Sequence, residues 1–288
     1  METKKNSRLQ QRLREYAKSP SSAILAALVM LCTAITFFVL LFLIVFILVK
    51  GVTHITPDLF SFTYTTENAS LMPALINTLI MTALSLVIAV PIGVASAIFL
   101  VEYAGKGSKL VGLIRITAET LSGIPSIVYG LFGLLFFATT LHWGYSLLSG
   151  SFTLVIMILP LIMRTTEEAL KAVPDSYREA SFGLGAGKLR TIFRIVLPSA
   201  VPGILAGVIL ATGRIVGETA ALMYTAGTVA QVPKSLMGSG RTLAVHMYAL
   251  SSEGLYMDQA YATAVILLVI VLLINWLSGQ LAKRIAKG

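Results

Sequence analysis

The chain has 288 residues, 56% of them hydrophobic and 12% charged, with a mean hydropathy of +0.86. A soluble core does not need that much apolar sequence, and here it comes in long runs; a helix crosses the ~30 Å hydrocarbon layer with roughly 20 residues. The net charge of +9 comes from Lys and Arg gathered in alternate loops, without interleaved aromatic–basic motifs, which argues for membrane topology and against a nucleic-acid partner.

In chain order, a basic N-terminal arm over residues 1–22 carries Lys4, Lys5, Arg8, Arg12, Arg14 and Lys18. The apolar stretch Ile24–Val49 is too long for a signal-peptide core and ends without a cleavage pattern, so it reads as an uncleaved first span over 23–50. The second span is expected over 71–101, opened by Pro73, and the third over 116–140 with Gly123, Pro125, Gly130 and Gly133. The fourth is expected over 151–169 with Pro160, the fifth over 198–224 with Pro202, Gly203, Gly207, Gly213 and Gly217, and the sixth over 259–282. Backbone groups in lipid must bond within their own segment, so the fold class is all-α, a polytopic bundle of six spans. Pro and Gly inside spans serve close packing in one reading and bent helices lining a path in the other.

The loops after spans two and four carry Lys106, Lys109 and Arg115, then Lys171, Arg178, Lys188, Arg190 and Arg194. The loops over 51–70 and 141–150 carry no Lys or Arg, and the Gly/Ser/Thr-rich segment 225–258 carries only Lys234 and Arg241. Both termini are therefore expected in the cytoplasm, with a transmembrane unit over 23–283 and a basic tail over 284–288. The segment 225–258 is expected outside, with a short helix near 241–250. Cys32 is the only cysteine, which excludes an intramolecular disulfide and a Cys-based metal site.

The loop over 172–198 holds the most specific motif. Glu179-Ala180-Ser181 is followed after three residues by Gly185, and after nine more by Ile195, Leu197 and Pro198. Asp175 or Ser176, behind Pro174, suits a helix cap, Gly185 a turn between two short helices, and Pro198 the first turn of the next span. Gly183-Leu184-Gly185-Ala186-Gly187-Lys188 imitates a phosphate loop, but Phe182 stands where its first Gly belongs and Leu189 where a hydroxyl must hold magnesium, so no ATP hydrolysis is expected.

Charges inside spans are costly and often mark a pathway. Arg164, Glu167 and Glu168 lie near the inner end of span four, Arg164 and Glu167 three residues apart; Arg214 and Glu218 lie within span five, four apart. Both spacings allow ion pairs. Arg164 can also snorkel to the cytosol, while Arg214 either pairs with Glu218 or lends a planar fork to an anion. His54, His142 and His246 fall near the expected outer side, with no metalloprotease or serine-hydrolase motif, so neither metal site nor catalytic residue is assigned.

The Glu179–Pro198 pattern resembles the EAA loop of ABC-importer permeases. With Ile116–Gly130 and the Gly213–Ala220 segment Gly-Arg-Ile-Val-Gly-Glu-Thr-Ala, the chain is similar over about residues 70–283 to phosphate-specific permeases of the PstA type. Ser181 stands where the pattern has its second Ala. The resemblance implies a type I ABC-importer permease fold in a bacterial inner membrane, and a non-catalytic subunit that holds no cofactor. ATP and magnesium belong to a partner ATPase dimer docked on the loop, beside a second related permease, an external phosphate-binding protein and the lipid bilayer. It implies transport roles for Arg164, Glu167 and Arg214; Glu218 and Glu119 lie in the matching segments. Sulfate and molybdate permeases share this plan, and an ion-coupled secondary transporter is the rival that needs no docking loop.

Overall fold

The computed structural model describes residues 20–104 and 108–285; most of the basic arm, Lys106 and Lys287 lie outside the described residues. The chain forms two compact units, residues 1–50 and 51–288. The first contributes helix α1, Pro20–Gly51, apolar on all sides, as a helix facing lipid or a partner must be.

In the second unit, α2 spans Met72–Ile98 with Pro73 in its first turn, and closes in a π turn over Phe99–Tyr103. The expected third span is broken. Helix α3, Lys109–Ser122, and helix α4, Ser126–Gly133 with a π turn to Thr140, meet at 101°. Pro125 causes the break, because it lacks an N–H and holds Ile124 away from helical geometry. Helix α5, Leu147–Lys171, starts where Ser146 Oγ accepts the Ser149 N–H at 3.1 Å.

Two short helices follow, α6 over Asp175–Gly183 and α7 over Lys188–Thr191. A π turn over Ile192–Val196 carries α7 directly into α8, Leu197–Val216. The fifth span thus runs from 188 to 216, not from 198 to 224. Pro198 lies inside a continuous helix, just after the widened turn. Gly217 ends α8, and after Glu218 and Thr219 come α9, Ala220–Thr225, α10, Leu243–Glu253, and α11, Met257–Ile285. Helix α10 is the short helix expected near 241–250. Five helices are long and apolar enough to cross a membrane, and six when α3 and α4 count as one span.

Helices α2, α5 and α8 form the centre, packed through Met81, Leu154, Ile158, Ile162, Ala211 and Ile215. The Gly residues of α8 permit close approach: a Cβ on Gly203 would stand 2.6 Å from the Ala169 Cβ, and one on Gly207 would collide with Thr165. Helix α2 defines two ends of the bundle. Its C-terminal end reaches α6 through Glu102 and Arg178, and its N-terminal end holds the 226–242 segment through Asn77.

Candidate functional site

The loop between α5 and α8 is a helix–turn–helix locked to the bundle by one arginine. Arg178 Nε and Nη2 both donate to Glu102 Oε1, at 3.1 and 2.8 Å, Nη2 also to the Leu170 carbonyl at 3.0 Å, and Nη1 to the Val173 carbonyl at 2.9 Å. Its side chain is 14% exposed and that of Glu102 is 9% exposed. One guanidinium therefore joins α6 to the end of α5 and to the turn after α2. Neither Asp175 nor Ser176 caps α6: Asp175 accepts from Arg178 Nη1 at 3.2 Å instead. Arg178 and Glu102 were not singled out in the sequence, because 76 residues separate them; the one clue was an acid at the end of an otherwise apolar span.

Gly185, at φ +80°, closes α6. Its N–H bonds the Phe182 carbonyl at 2.9 Å, and the Ala186 N–H bonds the Ser181 carbonyl at 3.1 Å, the paired bonds of a Schellman cap. Ser181 is buried, and its hydroxyl lies 2.8 Å from the Thr191 hydroxyl, tying α6 to α7. The Ser in place of Ala thus adds a bond. Glu179 and Ala180 face outward with Tyr177, Phe182 and Leu184, the last 89% exposed. Ile195 lies in the π turn, and Leu197 and Pro198 lie in α8, so these three belong to the helix behind the loop.

The broken span is tied to α5 by an ion ladder. Glu167, 6% exposed, places Oε1 2.7 Å from Arg115 Nε on α3 and 2.6 Å from Lys171 Nζ. Arg164 Nε lies 3.2 Å from Glu168, and its Nη1 3.8 Å from Glu119 on α3. The expected Arg164–Glu167 pair is absent: both residues pair four along the helix, because Glu167 turns under α3 while Arg164 and Glu168 share a more open row. A cleft of about 200 Å³ opens between Arg115, Met163, Arg164 and Lys171, and one of about 1000 Å³ between Glu102, Lys109, Arg115 and Glu179.

The expected Arg214–Glu218 pair is also absent. Helix α8 stops at Val216, so four residues no longer make one turn. Glu218 sits buried in the break and accepts the Ala221 N–H at 3.0 Å, holding the start of α9. Arg214 is half-buried and takes part in none of the ion pairs among the described residues. Tyr129, on α4 beside the break of the third span, donates its hydroxyl to the Leu121 carbonyl at 2.7 Å. No cluster of His, Cys, Asp or Glu among the described residues could hold a metal ion.

Residues 89–287 match the family described as "Binding-protein-dependent transport system inner membrane component". A Bacillus subtilis protein named "Probable ABC transporter permease protein YqgI" is 33% identical over 282 residues, covering 88% of this chain and 94% of that one. A Mycobacterium tuberculosis protein named "Phosphate transport system permease protein PstA 1" is 42% identical over 155 residues, covering 54% of this chain and 50% of that one, so the match spans about half its length. Among solved structures, a bacterial alginate ABC transporter in complex with a pentasaccharide-bound periplasmic protein has a chain with TM-score 0.68 at 18% identity, covering 94% of this chain and 98% of that one. At that identity the likeness concerns the fold.

Proposed function

This chain belongs to the family of binding-protein-dependent transport inner-membrane components, and we propose that it carries inorganic phosphate across the membrane by alternating access. It is a multi-pass permease subunit of an ABC importer in a bacterial inner membrane. The observation that carries the mechanism is the Arg178 anchor: a push on the exposed face of α6 passes through one partly buried guanidinium to α5 and to the end of α2.

An ATPase dimer, which holds ATP and magnesium, docks on Glu179, Ala180 and the apolar residues beside them. A small-residue helix with projecting Leu184 and Tyr177 suits a groove. Closure of that dimer moves α6 and α7 as one body, because the Schellman turn and the Ser181–Thr191 bond keep them together. The ladder of Arg115, Glu167 and Lys171 holds α3 to α5 on the same side, and the break at Gly123–Pro125 lets α4 reorient against it. Phosphate arrives from an external binding protein, and a second related permease completes the path.

Phosphate is favoured by the relative bearing that name and by Arg214, a half-buried cation with no carboxylate partner among the described residues, whose planar fork matches an oxyanion. The test is uptake of labelled phosphate at low micromolar concentration in cells with and without the chain, with excess sulfate or molybdate as competitor. Uptake that depends on the chain, resists both competitors and is lost in Arg214→Ala at normal protein level is expected. Unchanged phosphate uptake with another oxyanion's import lost would overturn the substrate and leave the permease.

A further inference from the structure

At the end of the bundle opposite the coupling loop lies a buried arginine. Ten buried side-chain N and O atoms lack an aligned hydrogen-bond partner among the described residues, and six of them sit on Asn77, Arg241, Thr242 and His246. Native interiors leave few such atoms, so a cluster of them needs a cause. These four residues come from two regions held as one body. Asn77 Nδ2 on α2 donates to the Gln231 carbonyl at 2.9 Å and to the Arg241 carbonyl at 3.1 Å, and the Leu243 N–H donates to Thr78 Oγ1 at 2.8 Å. The guanidinium of Arg241 lies 4.8 Å from the Tyr64 ring centroid, and the Tyr64 and His246 rings stand perpendicular with centroids 6.1 Å apart.

Arg241 is 5% exposed, yet it takes part in none of the ion pairs among the described residues. Its unmatched atoms are Nε and Nη2, the same edge with which Arg178 grips Glu102. That edge presents two N–H donors side by side and fits an oxyanion. Water can satisfy donors, but it cannot offset a buried charge, and an uncompensated buried charge is strongly destabilising. The Tyr64 face offsets part of it. His246 adds no second positive charge: burial, then the charge of Arg241, push it down to about 3, with the Ala69 backbone drawing it partly back. A neutral imidazole has one acceptor nitrogen, and Asn77 Oδ1 is a second acceptor without a donor. Donors and acceptors together match an anion that still carries a proton; fully ionised sulfate would set lone pairs against lone pairs.

We propose that Arg241, Asn77, Thr242 and His246 form a binding site for a protonated tetrahedral oxyanion, of which hydrogen phosphate is the type, at the end of the bundle remote from α6. The site stands apart from the translocation reading, since it is built from other residues than Arg214 and Glu167. The full-length chain, purified with its co-expressed partner chains in lipid nanodiscs and without external binding protein, is unfolded thermally in potassium gluconate. Phosphate, sulfate or chloride is added at equal ionic strength. Phosphate raises the midpoint of wild type, and in an Arg214→Gln background, which removes the arginine of the central path, it still does so while sulfate and chloride do not; adding Arg241→Gln to that background abolishes the shift. If Arg241→Gln fails to fold, His246→Leu serves instead and needs about tenfold more phosphate for the same shift. No shift in wild type, an equal shift with sulfate or chloride, a shift that survives Arg241→Gln, or a His246→Leu shift that appears at the same phosphate concentration as in wild type overturns the site. A shift that disappears in Arg214→Gln instead places the anion in the central path and also overturns it. A complex that shows the Arg241-dependent shift but imports another solute keeps the site and overturns only the transport reading.

Discussion

Arg178, partly buried, and Arg241, buried, stand at opposite ends of α2. The first has its Nε/Nη2 edge filled by Glu102 and further donors on the Leu170 and Val173 carbonyls. The second has the same edge unmatched, with an aromatic face and a neutral imidazole for neighbours. At the α6 end Arg178 and Glu167 each meet a counter-charge among the described residues, which suits the coupling role proposed for it. At the far end no carboxylate among the described residues pairs with Arg241, which suits the anion site proposed there.

Arg178→Ala makes the first end resemble the second by leaving Glu102 buried without its partner. A loss of about 3–5 kcal/mol is expected, as for a broken buried pair. It is read as a lower unfolding midpoint, with transport lost in whatever protein still folds. A variant as stable as wild type would mean that α6 is held chiefly by apolar packing.

Acid should strike the far end first. His246 titrates near 6.5 when unfolded and near 3 in the fold, so the unfolded chain binds a proton that the folded chain refuses. Its neutral form leaves stability untouched above pH 6.5 and lowers it progressively between pH 6.5 and about 3. At pH 5 the loss is about 2 kcal/mol. A stability–pH profile of His246→Leu should be flatter than wild type over that window; parallel profiles would show that His246 is not held neutral.

Glu167→Gln tests the ladder and should have the smallest effect on stability, about 1 kcal/mol or less, because Arg115 and Lys171 are half exposed and solvent screens them. The expected signature is faster hydrogen exchange over 109–122, as α3 loosens from α5. Unchanged exchange there would mean that the ladder does not restrain the broken span.

Span number and loop polarity were readable because they rest on composition over twenty-residue windows, and a window tolerates local error. Errors arose where one residue decides geometry. Pro125 turns one expected span into two helices at 101°. The π turn before Pro198 carries a helix through a residue that normally begins one. The stop at Val216 separates Arg214 from Glu218, although their spacing allowed a pair. The Glu179–Gly185 turn was legible because its chemistry is local: only a residue tolerant of positive φ closes a Schellman cap well.

By itself the sequence determined an all-helical membrane subunit with a charged helix–turn–helix loop, since hydropathy, loop charge and turn chemistry each act over neighbouring residues. Only the tertiary structure decided which charges meet. Glu102 reaches Arg178 and Arg115 reaches Glu167 across helices far apart in the chain, while Arg241, with a carboxylate-ready edge, meets no carboxylate among the described residues. Electrostatic partnership depends on distances of a few ångströms between remote segments, and those are set by how glycines and prolines let α2, α5 and α8 pack.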